Sequence, residues 1–147
     1  MKSLGYLIQD KGAHINFVQS GSRVIDALAL MAVENVPFVV IMQDGKYLGI
    51  MSERDYAQKL VLKGKNSSDT TVNEIMTTDL PTVTTDDTAD HALLVMRTFR
   101  TNILPVFEDY AFAGIVTMNM LMGEAMREMQ HLSSNADQGK ESFYYWI

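Results

Sequence analysis

The residues of this chain best equipped for chemistry stand together at Ser52-Glu53-Arg54-Asp55, directly after the apolar run Tyr47 to Met51. The Ser52 hydroxyl can donate to a phosphate or sugar oxygen, the Arg54 fork can pair with phosphate, and Asp55 can accept from two sugar hydroxyls. Ser52 also sits where a helix would begin, and a helix start offers unpaired N–H groups and a positive dipole end to an anion. The same residues have a plainer reading. Ser followed three positions later by an acid is a capping box that satisfies orphan N–H groups.

No other cluster competes with this one. His14, His91 and His131 lie far apart, without HExxH or i, i+4 spacing, so no metal site is expected. There is no Ser-His-Asp signature, Walker loop or GxGxxG, and the carboxylates are scattered, so no catalytic residues and no enzyme activity are expected. Twelve basic against 18 acidic residues, a net charge of −6, argue against a general nucleic-acid binder, whose affinity comes largely from counterion release. With no cysteine, disulfides and thiolate chemistry are excluded. No stretch approaches the roughly 18 apolar residues of a membrane span, and the N-terminus lacks a signal-peptide pattern. A soluble cytoplasmic protein without membrane association is the expectation.

The elements that must position Ser52, Arg54 and Asp55 come from an internal repeat. The segment Val18 to Asp55 lies on Val83 to Met120 without a gap, at a constant offset of 65. Val18 meets Val83, Ala27-Leu28 meet Ala92-Leu93, Met31 meets Met96, Asp44 meets Asp109, and Gly49-Ile50 meet Gly114-Ile115. Ahead of each copy, Ser3 to Ile8 and Thr71 to Met76 share the pattern of a short capped helical turn.

Each copy reads as strand, helix, strand, turn, strand, helix. In the first, Ile15 and Phe17-Val18 are extended, and Ser20-Gly21-Ser22 supplies a turn and helix cap. Val24, Ile25, Leu28, Met31 and Ala32 form one helical face ending near Asn35. Phe38 to Met42 and Tyr47 to Met51 are strands joined at Asp44-Gly45, and a helix runs from Ser52 through Leu62 to Gly64. The second copy follows suit, with the helical face Ala92, Leu93, Met96 and Phe99, strands Leu104–Phe107 and Phe112–Val116, and a helix from about Thr117 to Gln130. The expected division is 1–65, 66–131 and a polar C-terminal tail, 132–147, with an apolar end at Phe143 to Ile147. Domains near 60 residues are marginal alone, so the two copies should share a core.

These residues resemble the tandem cystathionine-β-synthase (CBS) domain pair, in its stand-alone bacterial form. The resemblance spans about Ser3 to Glu128 and rests on the capped turns, the element order and the Gly-hydrophobic-hydrophobic-Ser/Thr-x-x-Asp signature, here Gly49-Ile50-Met51-Ser52-Glu53-Arg54-Asp55. It implies a mixed α/β (α+β) fold of two β-α-β-β-α repeats packed sheet to sheet about a pseudo-two-fold. It further implies a regulatory module, with no obligatory cofactor, that senses an adenosine nucleotide (AMP, ATP or NAD(H)) in a cleft between the repeats. The adenine would lie among Ile15, Val36 and Ile50, with Asn16 and the Pro37 backbone nearby, and Ser52, Arg54 and Asp55 would hold the sugar phosphate.

In the repeat context the ligand reading of Ser52-x-x-Asp55 outweighs the capping box. The second copy departs from the signature, reading Thr117-Met118-Asn119-Met120. Met120 cannot replace a carboxylate as acceptor, and Asn119 lacks the charge of Arg54. Thr117, Asn119 and Met120 are therefore expected to form an empty or altered second site. Arg97 and Arg100 read as a solvated helix face that could add charge near phosphates.

Met122, Met126 and Met129 form a stripe, and the resemblance assigns it to a homodimer interface, with Tyr56, Leu60 and Lys63 as the first-copy counterpart. The apolar C-terminus would suit a docking segment, and a regulated protein partner is conceivable. The alternative function is a structural or interaction module that dimerises and retains a vestigial nucleotide pocket.

Overall fold

The computed structural model describes residues 2–10 and 15–144, with side chains up to residue 136. In chain order the elements are α1 (Leu4–Asp10), β1 (Phe17–Gln19), α2 (Val24–Glu34), β2 (Phe38–Gln43), β3 (Lys46–Ser52) and α3 (Glu53–Asp55). A π-helical segment (Tyr56–Val61) continues α3. Then come α4 (Val72–Ile75), β4 (Val83–Thr84), α5 (Ala89–Phe99), β5 (Ile103–Glu108), β6 (Ala111–Thr117) and α6 (Met118–Tyr144).

Two three-stranded sheets result, β1-β2-β3 and β4-β5-β6. In each, the first pair is parallel and the second an antiparallel hairpin. The duplication extends to the backbone. Both hairpins shift register, at Ile41/Met42 and Val106/Phe107, and both turn through left-handed pairs, Asp44-Gly45 and Asp109-Tyr110. Such turns match the twist of the flanking strands.

The buried residues form three clusters. Val24, Ala27, Met31, Val39, Ile41, Met51 and Leu60 fill the first copy, together with Val72 and Ile75 of α4. Val83, Ala89, Ala92, Met96, Leu104, Val106, Val116 and Leu121 fill the second, together with Leu4 and Leu7 of α1. Each short helix thus packs into the core of the copy that does not follow it. Matching bridges, Ser3 with Thr88 and Arg23 with Thr71, fix this exchange. The third cluster joins the copies, with Val40, Ile50 and Ile103 at its centre and Ile15, Phe38, Tyr47, Leu80, Phe112 and Ile115 around it. Tyr47 and Phe112, equivalent residues of the two copies, stack at 5.0 Å.

Several local expectations need correction. The N-cap of α2 is Arg23, without a side-chain cap bond, and not Ser22; the helix begins one residue later than expected, where Arg23 is bridged to Thr71 and the Ser22 carbonyl accepts from the Val72 N–H of α4. Ile25 and Phe99 are not core residues; they are 39% and 60% exposed, and Ala27 takes the buried position on α2. Leu60 is buried in the first core, so it cannot present an interface face. The last helix does not stop at Gln130 but runs to Tyr144. No proline interrupts residues 131–144, and Leu, Ala, Gln, Lys and Glu there favour helix despite Gly139. The Phe143 and Tyr144 side chains, and Tyr145 to Ile147 altogether, lie outside the described residues, as does His14. No described helix is long and apolar enough to cross a membrane.

Candidate functional site

β3 delivers Ser52 in extended conformation (φ −108°, ψ 168°) to the start of α3. The Ser52 Oγ accepts from the Asp55 N–H at 3.2 Å, and Asp55 Oδ2 accepts from the Ser52 N–H at 2.9 Å and the Ser52 hydroxyl at 3.0 Å. The capping box is therefore present. The other carboxylate oxygen, Oδ1, accepts from the Thr77 hydroxyl at 2.7 Å and pairs with Lys59 Nζ at 2.8 Å, while Lys59 also donates to Thr77 Oγ1 at 3.1 Å. Asp55 is only 5% exposed, and its charge is stabilised by four partners.

Two features of the chain bring these partners in. The π-helical segment carries Lys59 alongside Asp55 while keeping Leu60 in the core, its wider turn closed by the Leu62 N–H on the Ala57 carbonyl. Thr77 is held by the β3 backbone, since its N–H and carbonyl bond those of Ile50 at 2.8 and 3.0 Å. Gly49 makes this approach possible, because a Cβ there would stand 2.6 Å from the Thr77 carbonyl oxygen. A glycine inside a strand marks such close backbone contact, and that was the available signal for Thr77.

In front of this network lies a cleft of about 880 Å³ between the two copies. Pro37, Ile50, Ser52, Arg54 and Asp55 line it from the first copy, Thr77, Asp79 and Leu80 from the connecting segment, and Arg97, Phe99, Arg100 and Asn102 from the second. Five of the eight expected ligand residues thus share one cleft. The other three do not line it. Ile15 packs in the cluster between the sheets that includes Ile50. Asn16 is buried, donates to the Phe38 carbonyl at 3.1 Å, and leaves its Oδ1 without a partner among the described residues. Val36 faces an adjoining cavity of about 540 Å³ with Leu28, Met31 and Tyr56.

The second signature keeps only half of the cap. Thr117 Oγ1 accepts from the Met120 N–H at 3.2 Å, and the thioether returns nothing. Thr117, Asn119 and Met120 line neither cavity. Sequence reasoning missed Lys59, Thr77, Asp79 and Phe99 as lining residues.

Residues 72–127 match the CBS domain family. A crystal structure of a CBS domain superposes with a TM-score of 0.80 at 31% identity, over 86% of this chain and 99% of that one. The mitochondrial CBS domain-containing protein CBSX3 of Arabidopsis thaliana is 33% identical over 113 residues, 74% of this chain and 53% of that protein. The CBS domain-containing protein YhcV of Bacillus subtilis is 24% identical over 119 residues, 81% of this chain and 82% of that protein. The chain spans about half the length of CBSX3 and about a fifth of the Arabidopsis protein CBSCBSPB2.

Proposed function

The chain belongs to the CBS domain family, and we propose that it is a regulatory binding module whose ligand is an adenosine nucleotide (AMP, ATP or NAD(H)) held between its two copies. The convergence of Pro37, Ile50, Ser52, Arg54 and Asp55 on one cleft carries this reading. Pro37 and Ile50 offer apolar surface to a base, Ser52 and Asp55 offer a donor and an acceptor to a sugar, and the exposed Arg54 offers its fork to phosphate. Because Asp55 is already bonded to Thr77 and Lys59, sugar hydroxyls would exchange with these partners rather than meet a free carboxylate. Occupancy would then remove one side-chain contact of the segment that joins the copies, the Thr77 hydroxyl on Asp55, and so bias bound and free states toward different geometries, as regulation requires.

Calorimetric titration and thermal shift with AMP, ADP, ATP and NADH test the proposal, using Arg54→Ala as the binding variant. The expected result is heat and a raised Tm with at least one nucleotide, both diminished in the variant. Silence from all four nucleotides overturns it.

One observation favours a second reading, an interaction module. Met122, Met126, Met129 and Leu132 are 56%, 60%, 70% and 71% exposed along one side of α6. An apolar stripe of this kind suits a second copy of the chain, so we propose a homodimer through α6, by which a regulated protein would sense the state of the cleft. Both readings place the module in an aqueous compartment such as the cytoplasm, with no nucleic-acid or membrane partner.

A further inference from the structure

We propose that α6, beyond the point where the repeat ends, pairs with α6 of a second copy of this chain as a two-stranded antiparallel coiled coil, Leu132 of each strand packing on the partner's Ala136. The proposal rests on the homodimer reading above and gives that dimer its seam and its direction.

The duplication marks this part of the helix as an addition. The first-copy helical run is capped at Leu62, whose counterpart at the offset of 65 is Arg127, yet α6 continues to Tyr144. From Glu128 onward the added helix spans roughly 25 Å at about 1.5 Å per residue. Every residue from Met129 to Ala136 is exposed, so this length gains no core packing from its own chain. Helices draw most of their stability from packing an apolar face, and here that face must find its cover elsewhere.

The open face has a heptad order. Met122, Met129, Ala136 and Phe143 recur at every seventh residue, and Ala125, Leu132 and Gly139 follow the first three of them by three positions. The charged residues of α6 all fall outside these positions, as the seam of a coiled coil requires. Up to Ala136 every seam residue is exposed.

Side-chain size decides the direction. In a parallel pair each seam residue meets its own copy, so Ala125, Ala136 and Gly139 would make thin layers between the thick ones of Met129, Leu132 and Phe143. Two helices at one separation cannot fit both, and the thin layers are left as voids. Run antiparallel about Ser134, the same face meets its own complement: Leu132 lies opposite the partner's Ala136, Met129 opposite the partner's Gly139, and Ala125 opposite the partner's Phe143. Each of these layers pairs a large residue with a small one, which is how close-packed layers interdigitate. On the flanks Glu128 faces the partner's Ser142 and Met126 faces the partner's Lys140, so no like charges meet. A face that carries its own complement, residue i meeting j and j meeting i, fits a second copy of this chain as its occupant.

Sedimentation velocity and cysteine cross-linking of the full chain test this. The chain has no cysteine of its own, so each disulfide reports an introduced pair. In the antiparallel coil residue 125 lies roughly 27 Å along the axis from its own copy, far beyond the span of about 7 Å that a disulfide can bridge. Ala125→Cys co-expressed with Phe143→Cys should therefore give at least about tenfold more cross-linked dimer than either variant alone. Leu132→Lys should raise the dimer dissociation constant at least about tenfold. Ala125→Cys cross-linked to itself, a mixture no more cross-linked than its components, or a wild-type dimer that Leu132→Lys leaves intact overturns the antiparallel coil while a homodimer stands. A wild type that sediments as a monomer throughout a dilution series overturns both and leaves the face to a different protein.

Discussion

Replacing Asp55 with alanine should destabilise the ligand-free protein, before any question of binding arises. The carboxylate accepts from the Ser52 N–H at 2.9 Å, the Ser52 hydroxyl at 3.0 Å and the Thr77 hydroxyl at 2.7 Å, and it pairs with Lys59 at 2.8 Å. A hydrogen bond to a charged acceptor contributes about 1.5–3 kcal/mol net. The Lys59 partner is 43% exposed, so that pair is screened and adds no more than about 1 kcal/mol. The bond from the residue 55 N–H to Ser52 Oγ survives the change, and bonds that share one carboxylate do not add fully. The expected loss is about 3 kcal/mol, or about 6–12 °C in Tm for a chain of this size. Urea unfolding and scanning calorimetry without nucleotide measure it. A loss under about 1 kcal/mol would refute the reasoning, since it would mean that the carboxylate stands free of this network in solution. The consequence for binding studies is direct. Weak nucleotide binding by Asp55→Ala mixes a damaged fold with a lost contact, whereas Arg54→Ala, at an exposed side chain, should leave stability within about 0.5 kcal/mol and report on the ligand alone.

Two glycines should respond to alanine with opposite signs in urea unfolding. Gly49→Ala drives a methyl to 2.6 Å from the Thr77 carbonyl oxygen and breaks the Ile50–Thr77 pair, a loss of about 2–4 kcal/mol; Gly123→Ala meets nothing within 4 Å inside α6 and should gain about 0.5–1 kcal/mol. Burial pushes the Tyr47 phenol up from 10.0 to about 12. Its folded value lies above its unfolded one, so the stabilisation from the neutral phenol is complete below pH 10 and is lost as pH rises to 12. Tyr47→Phe should flatten that alkaline decline, and at pH 7 it should be neutral or stabilising, because the buried hydroxyl has no partner among the described residues; a pH series of urea unfolding would expose a steeper decline if this is wrong. Met126→Glu, in the exposed stripe of α6, should convert the proposed homodimer to monomer in sedimentation velocity, and an unchanged sedimentation coefficient would remove α6 as the interface.

The fold was legible wherever local chemistry repeats. The hairpins follow from Asp44-Gly45 and from the equivalent Asp109-Tyr110, where even a tyrosine adopts the left-handed turn because the strands on either side demand it. The constant offset of 65 reappears in the register shifts and in the helix-ending residues Asn35 and Arg100. Readings failed where a distant segment decides the outcome. Ser22 has the type of a cap, but the helix starts after Arg23, which a bridge ties to Thr71 ahead of α4, and Leu60 has the spacing of an interface residue but is buried in the first core. Arg97, Phe99 and Arg100 carry the pattern of a solvated helix face, and they are exposed; nothing in their spacing reveals that the exposed side looks across a cleft at Ser52. The capping box and the ligand site were weighed against each other, although one set of side chains can supply the first while facing the cavity of the second.

The exchanged helices explain why a cleft between copies is a place from which the whole chain can be influenced. α4 belongs to the core of the first copy and α1 to that of the second, so neither core is complete without the segment that precedes the other copy. The chain leaving α4 must then run along the edge of β3, where Gly49 gives it room, and this brings Thr77 to Asp55. From there the same chain continues through Asp79 and Leu80, which line the cleft, into β4 of the second sheet. A ligand that competes for Asp55 therefore competes with the side-chain bond that reinforces the Ile50–Thr77 backbone pair at the start of the connection between the copies. The coupling needs no long pathway, because the acceptor that would recognise the sugar is also an acceptor for the connecting segment, through the Thr77 hydroxyl.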